Sequence, residues 1–216
     1  REAIEGLRLV ADDARLRAIA VATVLYSLGL GAFGGVYMIF VTRTLGFDPI
    51  VLGVIFGIGG ISSLAGALLA GRAADTFGLG RAMAAGLLAM GISQLFIPLA
   101  QGATVAGAVF LIAQQISGDG GFTSYDVNQV SFRQSITRES ALGRVNSCFR
   151  ITELGFVLAG TLLSGLAGQY IGLRETLFAG GALVIASAVA LALSPVFGIK
   201  SIASEITPVD APARAT

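Results

Sequence analysis

Six runs of apolar residues, each about the length that crosses a bilayer, divide this chain, and short polar turns separate them. They lie at about 18–41, 50–70, 82–100, 104–130, 144–168 and 176–194. The first holds 24 residues with no ionisable side chain besides Tyr26 and Tyr37. Such a chain is not built for water: with 55% hydrophobic residues, 12% charged residues and a mean hydropathy of +0.83, it has too little polar surface to cover a soluble globule of 216 residues. The expected class is an all-α membrane protein, a bundle of six transmembrane helices whose first partner is the lipid bilayer.

Composition narrows the function as well. The chain contains no histidine, which removes His-ligated metal sites and Ser-His hydrolases, and its lone cysteine, Cys148, excludes an internal disulfide and reads as a small buried residue. The only lysine, Lys200, follows no phosphate-binding glycine loop, so ATP is not expected as a ligand. A net charge of +1 argues against nucleic acid. No cofactor, metal or enzymatic chemistry is expected. Most of the 30 glycines fall inside the apolar runs, where small residues let helices approach closely, as at Gly31-x-x-x-Gly35 and Gly53-x-x-x-Gly57.

Residues 1–17 alternate charged and apolar side chains in a pattern compatible with an amphipathic helix on the membrane surface, or with a solvated linker. Residues 199–216 read as a disordered polar tail. The first residue is Arg1 and no signal-peptide pattern follows, which reads as a fragment of a longer polypeptide. Six spans place both ends on one side. Eleven basic residues fall on that side and only Arg43 and Arg174 on the other, so the positive-inside rule makes the termini cytoplasmic in a multi-pass protein of the cell (inner) membrane.

The most recognisable string is Gly71-Arg72-Ala73-Ala74-Asp75-Thr76-Phe77-Gly78-Leu79-Gly80-Arg81, read as the turn between the second and third runs. It resembles the cytoplasmic signature of the major facilitator superfamily, roughly G-x-L-A-D-[RK]-x-G-[RK]-[RK]. Gly71, Ala74, Asp75 and Gly78 match, Arg81 stands near the basic end, and Thr76, Leu79 and Gly80 depart from it. Glycines permit a tight turn, and Asp75 is placed to accept from helix N-terminal N–H groups while pairing with an arginine. Together Gly71, Arg72, Asp75, Gly78 and Arg81 are candidates for a conformational latch.

The resemblance points to the carboxy-terminal six-helix half of such a transporter. The fourth run lacks the arginine that first halves often carry, and residues 1–17 look like the central linker. Val127–Gln134 and Leu142–Ser147 look like the tenth-to-eleventh helix region of drug and siderophore exporters of this superfamily. It implies alternating access around a midplane site shared with an amino-terminal half or a second copy, with small amphipathic molecules exported against protons.

Acids inside apolar helices are the other functional signal. Asp126 and Arg150 fall at similar depths and are a candidate ion pair. Asp119 and Glu153 lie deeper and are candidates for proton coupling, although Arg150 stands one turn from Glu153 and can pair with it. Tyr26, Phe33, Tyr37, Gln114 and Gln115 are candidates for a substrate cavity, and Gly118–Gly121 predicts a bend or local unwinding. A six-helix scaffold or assembly subunit that transports nothing is the alternative reading.

Overall fold

A computed structural model describes residues 2–202. Helix α1 spans Glu2–Asp12. Helix α2, Ala14–Ile39, continues through a π-helical turn at Phe40–Thr44. Then come α3 (Pro49–Phe77), α4 (Leu79–Gln94) and the single turn α5 (Phe96–Leu99) that prolongs it. Helix α6, Val105–Gln114, passes through a second π-helical turn, Gln115–Asp119, into α7, Gly120–Ile136. Helices α8 (Glu139–Tyr170) and α9 (Leu173–Ala192) complete the bundle, followed by a 3-10 turn at Pro195–Gly198. Five of the resulting rods are long and apolar enough to cross a membrane. The rod from Val105 to Ile136 reaches that length only by joining α6, the π turn and α7, and it carries Asp119, Asp126 and Arg133.

Local chemistry sets the ends of these rods. Asp13 caps α2 by accepting from the Arg15 and Leu16 backbone N–H groups at 2.7 and 3.4 Å. The Arg15 guanidinium, 2.9 Å from the second Asp13 oxygen, holds that carboxyl below its ordinary range. Asp48 caps α3, with Pro49 at the first helical position, and Thr104 caps α6.

Helix α2 is the central post, packed along α8 on one side and α9 on the other, while α4 lies between α7 and α9 and α3 rests on α7. Backbone proximity makes these contacts possible. A side chain on Gly31 would strike the Thr161 nitrogen and the Gly160 Cα at 2.8 and 2.9 Å, and one on Gly160 would strike the Leu28 backbone. Of the two glycine pairs read from the sequence, Gly31 and Gly35 face α8 inside the bundle. Gly53 and Gly57 face nothing within 4 Å.

The interior has two apolar clusters. One, toward the terminal end, gathers Tyr26, Met83, Leu87, Tyr125, Phe132, Phe149 and Val184; the other, toward the far end, gathers Phe33, Phe40, Ile55, Ile97, Leu111 and Leu177. Along the chain, Ser93, Gln94, Gln114, Gln115 and Asp119 fall between them, giving a polar level near mid-bundle. At the far end, Arg174 donates to the Pro98 and Ala100 carbonyls and stacks on Phe40 at 5.2 Å, closing the α5–α6 connection.

The structure corrects three sequence expectations. The string from Gly71 is not an open turn: α3 runs on to Phe77, and a single residue, Gly78 at φ +91°, separates it from α4. Residues 1–17 do not form one helix, because the chain breaks at Asp13, and α1 packs on the start of α8, with Gly6 against the Arg144 backbone. The tail is ordered further than expected. Gly78 has no side chain to cap α4, and the first N–H groups of the helix, those of Leu79 and Gly80, instead donate to the Lys200 and Ile199 carbonyls at 3.1 and 3.0 Å. Residues 203–216 of the expected tail, and Arg1, lie outside the described residues.

This strap explains why glycine stands at position 80, where the sequence departs from the signature. A Cβ there would strike the Val196 carbonyl and come within 2.8 Å of the Phe197 Cα. Gly80→Val is expected to lift the strap from α4 at a cost of about 1–3 kcal/mol. Limited proteolysis should then cut near Ile199 much faster than in the unmodified chain; equal rates would mean the strap does not depend on this contact.

Candidate functional site

A polar cavity of about 340 Å³ opens between α2, α7 and α8, within the range of roughly 300–1,000 Å³ typical of ligand sites. Helices α7 and α8 do not pack along their length, so the cavity separates them. Four of its residues, Phe122, Asp126, Gln129 and Arg133, recur at spacings of four, three and four along α7 and so share one helical face. Thr23 and Tyr26 of α2 and Asn146, Phe149, Arg150 and Glu153 of α8 form the other walls. Tyr26 meets Phe122 edge-on at 5.6 Å and Tyr125 at 5.9 Å, which makes the deep wall aromatic.

The charges in this cavity are arranged differently from the sequence expectation. Arg150 donates to Glu153 on its own helix at 3.3 Å, and no Asp126–Arg150 pair forms among the described residues. Equal depth does not suffice when the cavity keeps the two helices apart. Asp126 accepts from the Gln129 amide at 2.9 Å, and the carbonyl of that amide receives a longer contact, 3.4 Å, from Arg133. Arg133 lies over the Phe149 ring at 4.3 Å and is only 8% exposed. It is one of the cavity residues that sequence reading missed, with Thr23, Phe122, Gln129, Asn146 and Phe149, and it falls beyond the fourth run at 104–130. Its position seven residues after Asp126 was the available signal, since that spacing keeps both on one face.

Asp119 sits elsewhere, at the end of the π turn, and projects into a notch on α3 where Gly59 has no side chain. Gln115 reaches the same notch. The expected irregularity at Gly118–Gly121 is therefore a widened turn within a continuing helix, and the Ser62 hydroxyl of α3 donates to the Ile116 carbonyl inside it. Asp119 has no cationic partner and no hydrogen bond among the described residues. Asn128 of α7 donates to the Ala70 carbonyl at 3.1 Å and ties α7 to α3.

Of the five residues expected to line a cavity, Tyr26 alone lines the one between α2, α7 and α8. Phe33 is buried in the far apolar cluster. Gln114 and Gln115 are buried at the polar level, and Tyr37 pairs with Phe56 at 6.0 Å. In the signature string, Gly71, Arg72, Asp75 and Arg81 are exposed. Asp75 caps no helix, because the strap carbonyls occupy the N–H groups it was expected to hold, and Arg81 lies over Phe197 at 5.9 Å.

Apolar rods of spanning length around a polar cavity define a polytopic membrane protein. The family model described as Major Facilitator Superfamily matches residues 19–209, and the chain belongs to that superfamily. It is similar to a curated protein of Sinorhizobium fredii named "Uncharacterized MFS-type transporter y4rN", with 31% identity over 169 residues. The match covers 77% of this chain and 40% of that protein, so the chain spans well under half of its relative. No solved structure matches.

Proposed function

We propose that this chain is the carboxy-terminal six-helix half of a secondary transporter that exports small amphipathic molecules in exchange for protons. The observation that carries this reading is the state of α3 and α8. They are the least buried of the five apolar rods, with 28% and 11% of their most apolar windows inside the bundle. Both expose glycines that meet nothing within 4 Å: Gly53, Gly57 and Gly60 on α3, and Gly155 and Gly165 on α8. Small residues on an exposed helix face suit close packing against another set of helices, here an amino-terminal half or a second copy. The cavity walled by α2, α7 and α8 would then be closed by that partner, and rocking of the two halves would expose it to each side in turn.

Asp119 is the proposed coupling group. A carboxylate in an apolar rod costs on the order of 2.5–3.5 kcal/mol at a helix centre, and a role in proton transfer accounts for retaining one without a cation beside it. Glu153, held by Arg150, is the secondary candidate. The proposed polarity, with both termini in the cytoplasm of the cell membrane, rests on the distribution of arginines.

The test is reconstitution into liposomes carrying a pH gradient. The chain alone is expected to move no fluorescent amphiphile and dissipate no gradient. Joined to an amino-terminal six-helix half, or assembled with a second copy, it is expected to do both. A chain that binds its partner tightly yet remains silent across a broad amphiphile panel would be a scaffold subunit.

A further inference from the structure

We infer that the cavity between α2, α7 and α8 is a site for flat organic anions, with Arg133 holding the carboxylate or sulfonate and the aromatic wall holding the ring. This deepens the transporter reading by assigning a substrate class to its cavity. The argument begins with hydrogen-bond supply. A guanidinium carries five N–H donors and no acceptor, and burying them without partners is costly. Arg133 is more than nine-tenths buried, yet its Nε has no hydrogen-bond partner among the described residues. Its guanidinium donates to the neutral Gln129 amide, at a long 3.4 Å.

The other charges already have partners. Arg150 is held by Glu153, and Asp126 accepts from Gln129. A cationic ligand would thus compete with existing donors at either acid, whereas an anion meets in Arg133 a cation that no carboxylate has claimed. Phe149 lies beneath the guanidinium, with 4.3 Å from its carbon to the ring centroid, and a guanidinium offers a flat fork of donors suited to two anionic oxygens. Deeper in, Tyr26 and Phe122 supply the aromatic surface. The ligand that fits has an anionic head toward the terminal end and an aromatic body toward the middle of the bundle.

The probe is radiolabelled 2-naphthoate, with binding to the whole chain in phosphatidylcholine nanodiscs read by scintillation proximity without any gradient. Competition should rank unlabelled 2-naphthoate well above its neutral amide and above 2-naphthylmethylammonium. Equal ranking of the three, or preference for the amine, overturns the inference without any mutation. Arg133→Gln should weaken 2-naphthoate about tenfold or more, the size expected for losing a charge-assisted hydrogen bond. Arg133→Lys, which keeps the charge and loses the fork, should fall between the two. Arg138→Gln, which removes an arginine from the same end of the bundle outside the cavity, should change affinity less than twofold, and a loss equal to that of Arg133→Gln would reduce the effect to general surface charge. Discs containing phosphatidylglycerol should leave the affinity unchanged; displacement by that lipid would make a headgroup the occupant and overturn the free-anion assignment. Because binding is read at equilibrium, anion binding without flux in the reconstituted pair would sink the transport reading alone, and flux without anion preference would sink this inference alone.

Discussion

Gly31→Leu is expected to yield almost no folded protein. The position lies where α2 and α8 touch backbone to backbone, with the Thr161 hydroxyl donating to the Gly31 carbonyl at 3.1 Å. A leucine cannot turn away from a neighbouring main chain, so the helices must separate. That breaks the contact with Gly160 and loosens α9, which packs on the same central post. Overpacking of a tight core costs typically 1–3 kcal/mol, and with backbone on the opposing side about 3 kcal/mol or more is expected here. Thermal unfolding in detergent, followed by size-exclusion chromatography, reads this directly. Gly53→Leu is the matched control: the same change on an apolar helix, but with nothing within 4 Å. It should leave the isolated chain as stable as before and instead weaken assembly with the partner half. If the two variants unfold together, the packing described for α2 and α8 is wrong.

Asp119→Asn is expected to abolish gradient-driven flux while leaving the bundle as stable as before or more so. A structural acid and a coupling acid separate here. An acid that held the bundle through an ion pair would leave an uncompensated charge when neutralised, and stability would fall. No cation partners Asp119 among the described residues, and the neutral amide removes the cost of a charge in an apolar rod. Uptake into liposomes under an imposed pH gradient should drop at least tenfold, with substrate exchange in the absence of a gradient largely kept. Unchanged uptake would move coupling to Glu153 or to the other half of the transporter.

Much of the architecture can be read without coordinates, because the bilayer imposes a length that any apolar run must meet. The ends of the rods were harder to read. Helix α3 passes Ala70 because Arg72, Asp75 and Thr76 are polar but good enough helix formers, so polarity marks where the helix meets water rather than where it stops. Only Gly78, with its positive φ, stops it. Arg133 and Asp126 share one face of α7, a periodicity visible in the sequence, yet which of the two candidate acids, Asp126 or Glu153, holds Arg150 was not visible. Depth along antiparallel helices does not tell which helices are adjacent, and the cavity between α7 and α8 leaves Arg150 to Glu153, one turn away on its own helix.

The sequence by itself determined the solvent and the superfamily signature at Gly71–Arg81, because these depend on hydropathy and local spacing. The tertiary structure alone decided which glycines are contacts and which are open, that Ile199 and Lys200 cap α4, and that Phe33 is core while Arg133 faces the cavity. Each of those outcomes turns on which helix lies opposite a given face. That choice is made by backbone approach at residues such as Gly31 and Gly160, 129 positions apart along the chain.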